Sequence, residues 1–232
     1  MKDDNKLDTQ EVADQKVELT LIQSISKNAI GLALFAFFTA GLIGITQITT
    51  ADLIDQNVKD FKQKSLLELM PEGLIDNNVL NDEHEFDKQF DQLELLNLQL
   101  NDVYYLGFND HQIQAIILPI TAPDGYTGNI KMLAAISPEG KVLGVRVIEH
   151  KETPGLGDKI DIKKSQWITG FDNKNLNNAN WKVTKDGGDF DAFTGATITP
   201  RAVVKSLQKA LEFYDINKSV FLKHTQISVK EQ

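Results

Sequence analysis

Apolar residues first form one long run. From Ala29 to Ala51 the chain carries no charge and reads Ala-Ile-Gly-Leu-Ala-Leu-Phe-Ala-Phe-Phe before its first hydroxyl, Thr39. A helix of roughly 20 residues crosses a bilayer core of about 30 Å, so residues 28–51 are predicted to be a transmembrane helix. A signal peptide would have a shorter apolar stretch nearer the terminus, and a soluble helix of this length would show a polar face. Before the run, residues 1–27 are polar and mixed in charge, and read as a tail with a helical turn near Val17 to Ile25. After it, Ile54, Val58, Phe61, Leu66 and Leu69 recur at helical spacing, which predicts an amphipathic helix over Asp52 to Met70, ended by Pro71-Glu72-Gly73.

The pattern then changes period. Residues 76–101 are acidic and Asn-rich with scattered leucines, and read as a variable surface region. Val103 to Phe108 and Ile113 to Thr121 are β-rich and split by Asn109-Asp110-His111. Asn129 to Ile136 and Val142 to His150 form a second pair, joined by Ser137-Pro138-Glu139-Gly140-Lys141. Four strands joined mainly by short turns predict an antiparallel sheet. Trp167, Ile168 and Phe171 suggest a short packed helix, and Trp181-Lys182-Val183 a short strand. Val203, Leu207, Ala210 or Leu211, and Tyr214 mark the buried face of a last helix, with Lys205, Gln208, Lys209 and Glu212 outward. Thr199 and Pro200 fit the N-cap and first helical position, since a hydroxyl accepts an amide hydrogen and proline has none to lose. Asn217-Lys218-Ser219 matches a glycosylation pattern that is read as chance on a helix end. The expected fold class is therefore α+β. Its boundaries are 1–27 tail, 28–51 transmembrane helix, 52–101 juxtamembrane helix and variable region, 102–222 main domain and 223–232 C-terminal tail.

Charge and composition narrow the function. A formal net charge of -9 over 232 residues argues against a nucleic-acid partner, because phosphate backbones are bound by clustered Lys and Arg. Cysteine is absent, which removes disulfides, thiolate metal sites, cysteine-ligated iron–sulfur clusters and cysteine nucleophiles. The four histidines, His84, His111, His150 and His224, make no metal-ligand spacing, so no metal is assigned. Lys16 and Lys27 before the apolar run and Lys59, Lys62 and Lys64 after it leave the orientation undecided by charge.

Three loops carry the candidate chemistry. Asp191-Ala192-Phe193-Thr194-Gly195-Ala196-Thr197-Ile198 sets two hydroxyls around a Gly-Ala pair immediately before the last helix, whose free amides and positive dipole end point back at Thr197. That suits a phosphate, and it equally suits a turn that only caps the helix. His150 to Lys159 contains Pro154-Gly155-Leu156-Gly157, where the glycines let backbone approach a flat ligand. Gly125-Tyr126-Thr127-Gly128 places an aromatic and a hydroxyl between two glycines.

Together with the anchor, these loops resemble the G subunit of the Rnf-type electron transport complex and, more distantly, the C subunit of the sodium-pumping NADH:quinone oxidoreductase. Such subunits have one N-terminal transmembrane helix and an FMN-binding domain, and carry FMN covalently through Asp-x-x-(Ser/Thr)-Gly-Ala-(Ser/Thr). Asp191, Thr194, Gly195, Ala196 and Thr197 fill that motif, so the resemblance implies that Thr197 is esterified to the flavin phosphate, with Thr194 a further donor. It also implies that Glu152, Thr153, Gly155, Leu156 and Gly157 line the ring, and Tyr126 and Thr127 belong to the same site. By the same resemblance, FMN is installed by a separate flavin transferase that uses FAD. The resemblance further implies that the partners are other subunits of a membrane complex that couples electron transfer to ion translocation. It implies that the domain lies on the periplasmic side of a bacterial inner membrane, and that the chain alone is an electron carrier without substrate chemistry or catalytic residues. The FMN subunit of a sodium-pumping NADH:quinone oxidoreductase, a flavin-binding respiratory regulator and a non-redox membrane-anchored binding module are the alternative readings.

Overall fold

The computed structural model describes residues 4–228. The chain separates into two compact units between Val58 and Lys59. The first unit holds most of α1, Asp4–Leu67, a single helix of 64 residues. Within it, Ile25–Ile54 is long and apolar enough to cross a membrane, and Phe35, Phe37 and Phe38 project outward along it. Thr39, Thr46, Thr49 and Thr50 donate to carbonyls three or four residues back, which satisfies their hydroxyls inside the apolar run. The segment expected as a tail is therefore helical from Asp4. No glycine or proline interrupts it before Gly31, and its Gln, Glu, Lys and Leu residues are good helix formers.

The second unit is built on a five-stranded antiparallel meander: β1 (Glu83–Glu85), β2 (Val103–Asn109), β3 (Gln112–Ala122), β4 (Ile130–Ile136) and β5 (Val142–Glu149), paired in chain order. The four expected strands are there, within a residue or two of the expected limits. Asp110 and His111 both take positive φ, 47° and 61°, the two-residue type I′ geometry that matches strand twist. Both faces of the sheet are covered, and the alternation of side chains divides them. Tyr104, Leu106, Ile116, Leu118, Ile120, Met132 and Ala134 face the main core under α2 (Ile198–Ser228). Tyr105, Ile117, Leu133 and Ala135 face a smaller cluster with Leu66, Leu69 and Val79. This is why β3 reads as a nearly unbroken apolar run.

The helix α1 stops at Leu67, before the expected Pro71, because the chain turns there onto β5. The Arg146 guanidinium donates to the Glu68 carbonyl at 2.8 Å, a cation at a helix C-terminus. The Leu69 carbonyl oxygen lies 2.2 Å from where a Cβ on Gly144 would stand, so only glycine admits this approach.

Residues 76–101, expected to be variable surface, contribute β1, two 3-10 turns (Val79–Asn81 and Leu93–Leu96) and a wall of the core. Phe86, Phe90, Leu93 and Leu96 are buried. Phe86 packs on Tyr104 with ring centroids 4.9 Å apart, and Phe90 on Phe221 at 5.0 Å. Asn217, from the glycosylation-like triplet, is buried, with its side chain donating to the Asp91 carbonyl at 2.9 Å and accepting from the Asp91 amide at 2.8 Å.

On α2, Val203, Leu207, Ala210, Leu211 and Tyr214 are buried as their spacing predicts, and the helix continues to Ser228 through most of the expected tail, whose last four residues lie outside the described ones. Trp167, Ile168 and Phe171 lie in a 3-10 helix, Gln166–Phe171, capped by the Ser165 hydroxyl. The strand expected at Trp181 to Val183 is reduced to one bridge between Val183 and Phe190, because the chain reverses at once through Gly187 and Gly188.

Candidate functional site

The three loops singled out in the sequence converge at the start of α2, and a buried carboxylate holds them together. Glu152 is 4% exposed. One carboxylate oxygen accepts from the Thr127 amide at 3.1 Å, and the other from the hydroxyl of Thr199, which is fully buried. The Thr127 hydroxyl adds a bond to the Lys151 carbonyl, and the Glu152 amide donates to His150 Nδ1 at 3.1 Å. Among the described residues no cation pairs with this carboxylate, so its burial is offset by neutral donors alone. Gly157 is fitted against the pair: a Cβ there would stand 2.8 Å from Thr199 Oγ1 and 2.9 Å from Glu152 Oε2.

This geometry revises the expected cap. The Arg201 amide donates to the Thr197 carbonyl, and α2 begins at Ile198, so the N-cap is Thr197. Thr199 sits in the first turn with its hydroxyl committed to Glu152. Pro200 falls at the third helical position, where its missing N–H is still one of those a helix start leaves without an intrahelical partner.

Beside the clamp lies a cleft of about 290 Å³, lined by Tyr126, Glu152, Thr153, Leu156, Gly157 and the run from Gly195 to Thr199. Its mouth is apolar. Outside α1, five large apolar side chains are exposed among the described residues, and three of them line this cleft: Tyr126 at 65%, Leu156 at 42% and Ile198 at 46%. Exposed apolar groups clustered on a concave surface mark a ligand site, since water gains nothing from them. Gly195 has φ +83°, a conformation a side chain disfavours, and turns the chain so that Ala196 and Thr197 form one wall.

Most of the expected site residues thus meet in one place. Gly155 shapes the loop with φ +76° without lining the cleft, Thr127 acts on Glu152 and Lys151, and Thr194 is exposed at the edge. The amides of Leu156, Gly157 and Asp158 all donate to the Thr153 carbonyl, so this loop's own turn consumes backbone donors that could otherwise face a ring. Its polar side chains on the cleft are Thr153 and Glu152, and the Glu152 carboxylate is already bonded to Thr127 and Thr199. One residue went unnoticed in the sequence: Lys185, whose ammonium donates to the Thr197 hydroxyl at 2.8 Å. A lysine in Thr-Lys-Asp before two glycines looks like any solvated turn, and only the fold carries it across to α2.

A chain with a membrane-spanning helix and a cleft of glycine backbone, apolar walls and a hydroxyl at a helix start has the form of a membrane-anchored FMN-binding flavoprotein. The family model described as FMN-binding domain matches residues 125–212, which contain all three loops, and that described as RnfG N-terminal region matches residues 19–69. The G subunits of ion-translocating oxidoreductase complexes are similar to the chain over most of its length. That of Pseudomonas aeruginosa is 43% identical over 205 residues, 86% of this chain and 93% of the relative. That of Vibrio vulnificus is 41% identical over 210 residues, 87% and 95%, and that of Vibrio cholerae 42% over 201 residues, 83% and 91%. The chain belongs to this family, the G subunits of Rnf-type ion-translocating oxidoreductase complexes. It is an electron-transport subunit with FMN as cofactor, and the readings as a quinone-reductase subunit, a regulator or a non-redox module give way to this one.

The residues present fit the flavin. Glycine backbone and the Tyr126, Leu156 and Ile198 side chains suit a flat apolar ring, while the start of α2 with Lys185 nearby suits a phosphate.

Proposed function

We propose that FMN is held as a phosphoester of Thr197 and that the chain is an electron carrier with no substrate chemistry of its own, loaded by a separate flavin transferase. The observation that carries this reading is the position of the Thr197 hydroxyl, half-exposed on the cleft wall at the N-cap of α2, with the Lys185 ammonium 2.8 Å away. Bound FMN supplies reversible uptake of one or two electrons. The protein's part is to hold and surround it. The Ile198 and Thr199 amides and the helix dipole favour negative charge on the phosphate side. Gly195 and Ala196 keep that wall free of bulk, and Leu156, Tyr126 and Ile198 exclude water from the ring. Thr153 offers the polar contact from the facing loop. Glu152, on the cleft wall, and Thr127 position the loops through their shared hydrogen bonds. Thr194, at the edge, is a donor to the phosphate.

The test is the intact mass of the full chain purified after co-expression with a flavin transferase. The wild type is expected to gain one FMN less one water and to keep its flavin through denaturation. Thr197→Ala is expected to lose that gain completely, whereas a Thr197→Ala chain that keeps the added mass would sink the assignment.

The domain is further assigned to the periplasmic side of a bacterial inner membrane, within a complex whose other subunits supply electron donor and acceptor. Since the chain has no cysteine, a single Asn177→Cys, on an exposed turn, reports on this directly. Labelling by a membrane-impermeant maleimide in cells with a permeabilised outer membrane is the expected result, and labelling only after the inner membrane is broken would reverse the orientation.

A further inference from the structure

Lys185 reaches the cleft wall at Thr197 from a turn that does not itself line the cleft. The residue lies in a 3-10 turn, Thr184–Asp186, closed by Gly187 with φ +80° and by the bridge from Val183 to Phe190. The next residue, Asp186, is gripped by Arg201 of α2 through two parallel bonds of 2.7 and 2.9 Å. That grip keeps the Asp186 carboxyl below the usual carboxylate range, the Arg201 hydrogen bond being the main cause. Arg201 in turn donates its amide to the Thr197 carbonyl. Two consecutive residues of one turn therefore reach the first turns of α2: Asp186 to Arg201, and Lys185 to the Thr197 hydroxyl.

From this geometry we infer that Lys185 is the cation that prepares Thr197 for flavin attachment and neutralises the phosphoester afterwards, with the Asp186–Arg201 pair as its positioning clamp; this rests on the covalent reading above. In the attachment step the Thr197 oxygen forms a bond to the flavin-side phosphorus of a flavin adenine dinucleotide carried by the transferase. The pyrophosphate P–O bond breaks, the nucleoside monophosphate leaves with its electron pair, and the hydroxyl proton passes to a base on the transferase. An ammonium that donates to the hydroxyl oxygen is not that base. It leaves the hydroxyl hydrogen free to be taken, stabilises negative charge as it develops on the oxygen and phosphate, and then sits beside the phosphodiester anion. Charge-assisted hydrogen bonds of this kind correspond to about 10- to 100-fold in rate.

The test follows the mass gain of apo full-length chain in detergent with purified transferase and the dinucleotide over time. Lys185→Gln is expected to slow it about 10- to 100-fold, with Lys185→Arg recovering part of the rate and Arg201→Gln slowing it less than Lys185→Gln. Lys182→Gln, which removes a nearby charge with no bond to Thr197, is expected to react at the wild-type rate. As a second readout, the phosphorus resonance of wild-type and Lys185→Gln chains loaded to completion is expected to differ, because the cation leaves the phosphodiester. Wild-type chain that gains no mass removes the covalent reading itself. Wild type that loads while Lys185→Gln loads equally fast, or Lys182→Gln slowing it as much as Lys185→Gln, overturns the role of Lys185 alone.

Discussion

The two ends of α2 are held by different physics. At its start, Thr197, Thr199 and Arg201 are fixed by hydrogen bonds to Lys185, Glu152 and Asp186, and the neighbouring loops are kept small by Gly157 and Gly195. Three turns and more beyond, Phe213 and Phe221 are buried against Phe86, Phe90 and Tyr104, with Tyr214 stacked on Phe221, in an aromatic cluster with ring centroids 4.9 to 6.2 Å apart. Directional bonds position atoms but contribute little net stability each, whereas aromatic burial contributes much and positions loosely. One helix thus carries a site at one end and the domain's stability at the other.

That division can be broken by mutation. The largest stability effect is expected at the aromatic end: Phe213→Ala should cost about 3–5 kcal/mol in denaturant unfolding of the second unit followed in the detergent-solubilised full chain, while the folded fraction still gains FMN at the wild-type rate. Thr199→Val is isosteric and removes the hydroxyl on Glu152. It should cost about 1–3 kcal/mol, less than Phe213→Ala, yet slow flavin attachment, since it leaves a buried carboxylate oxygen without its donor and loosens the cleft. If Thr199→Val unfolds the domain more than Phe213→Ala does, the division of labour is wrong.

The smallest effect is a pH dependence. Burial, and then the charges of Glu139 and Asp215, push the Tyr214 phenol from its ordinary 10.0 up to about 12, and its hydroxyl donates to the Pro138 carbonyl at 3.0 Å. The unfolded chain then gives up this proton first. The contribution is complete below about pH 10 and is lost as pH rises toward about 12. Tyr214→Phe should flatten that alkaline slope in denaturation midpoints without altering flavin attachment.

The site was more legible in the sequence than the aromatic end. Its loops announce themselves through residue types with few other uses: paired glycines about Leu156, hydroxyls around Gly195-Ala196, an aromatic between Gly125 and Gly128. The aromatic wall does not. Phe86 and Phe90 stand among acidic residues, and Gln92, Asn97 and Asn101 take positive φ, so no regular period links their apolar neighbours. Their partners on α2, Phe213 and Phe221, lie more than a hundred residues away, as Asn217 does from Asp91. The cap was misassigned for a related reason. Thr-Pro reads locally as a helix start, but Glu152, 47 residues earlier in the chain, claims the Thr199 hydroxyl and moves that start back to Ile198.

The sequence by itself determined the membrane-spanning helix, the four main strands, the apolar face of α2 and most of the residues that line the cleft. These rest on length, period and the local conformational demands of glycine and proline, which act within a few residues. Only the tertiary structure decided that residues 76–101 complete the core, that Glu152 ties the loops to Thr127 and Thr199, and that Lys185 stands at Thr197. Each of those depends on a partner distant in the chain, and a hydrogen bond or a packed ring leaves no periodic trace in the order of residues.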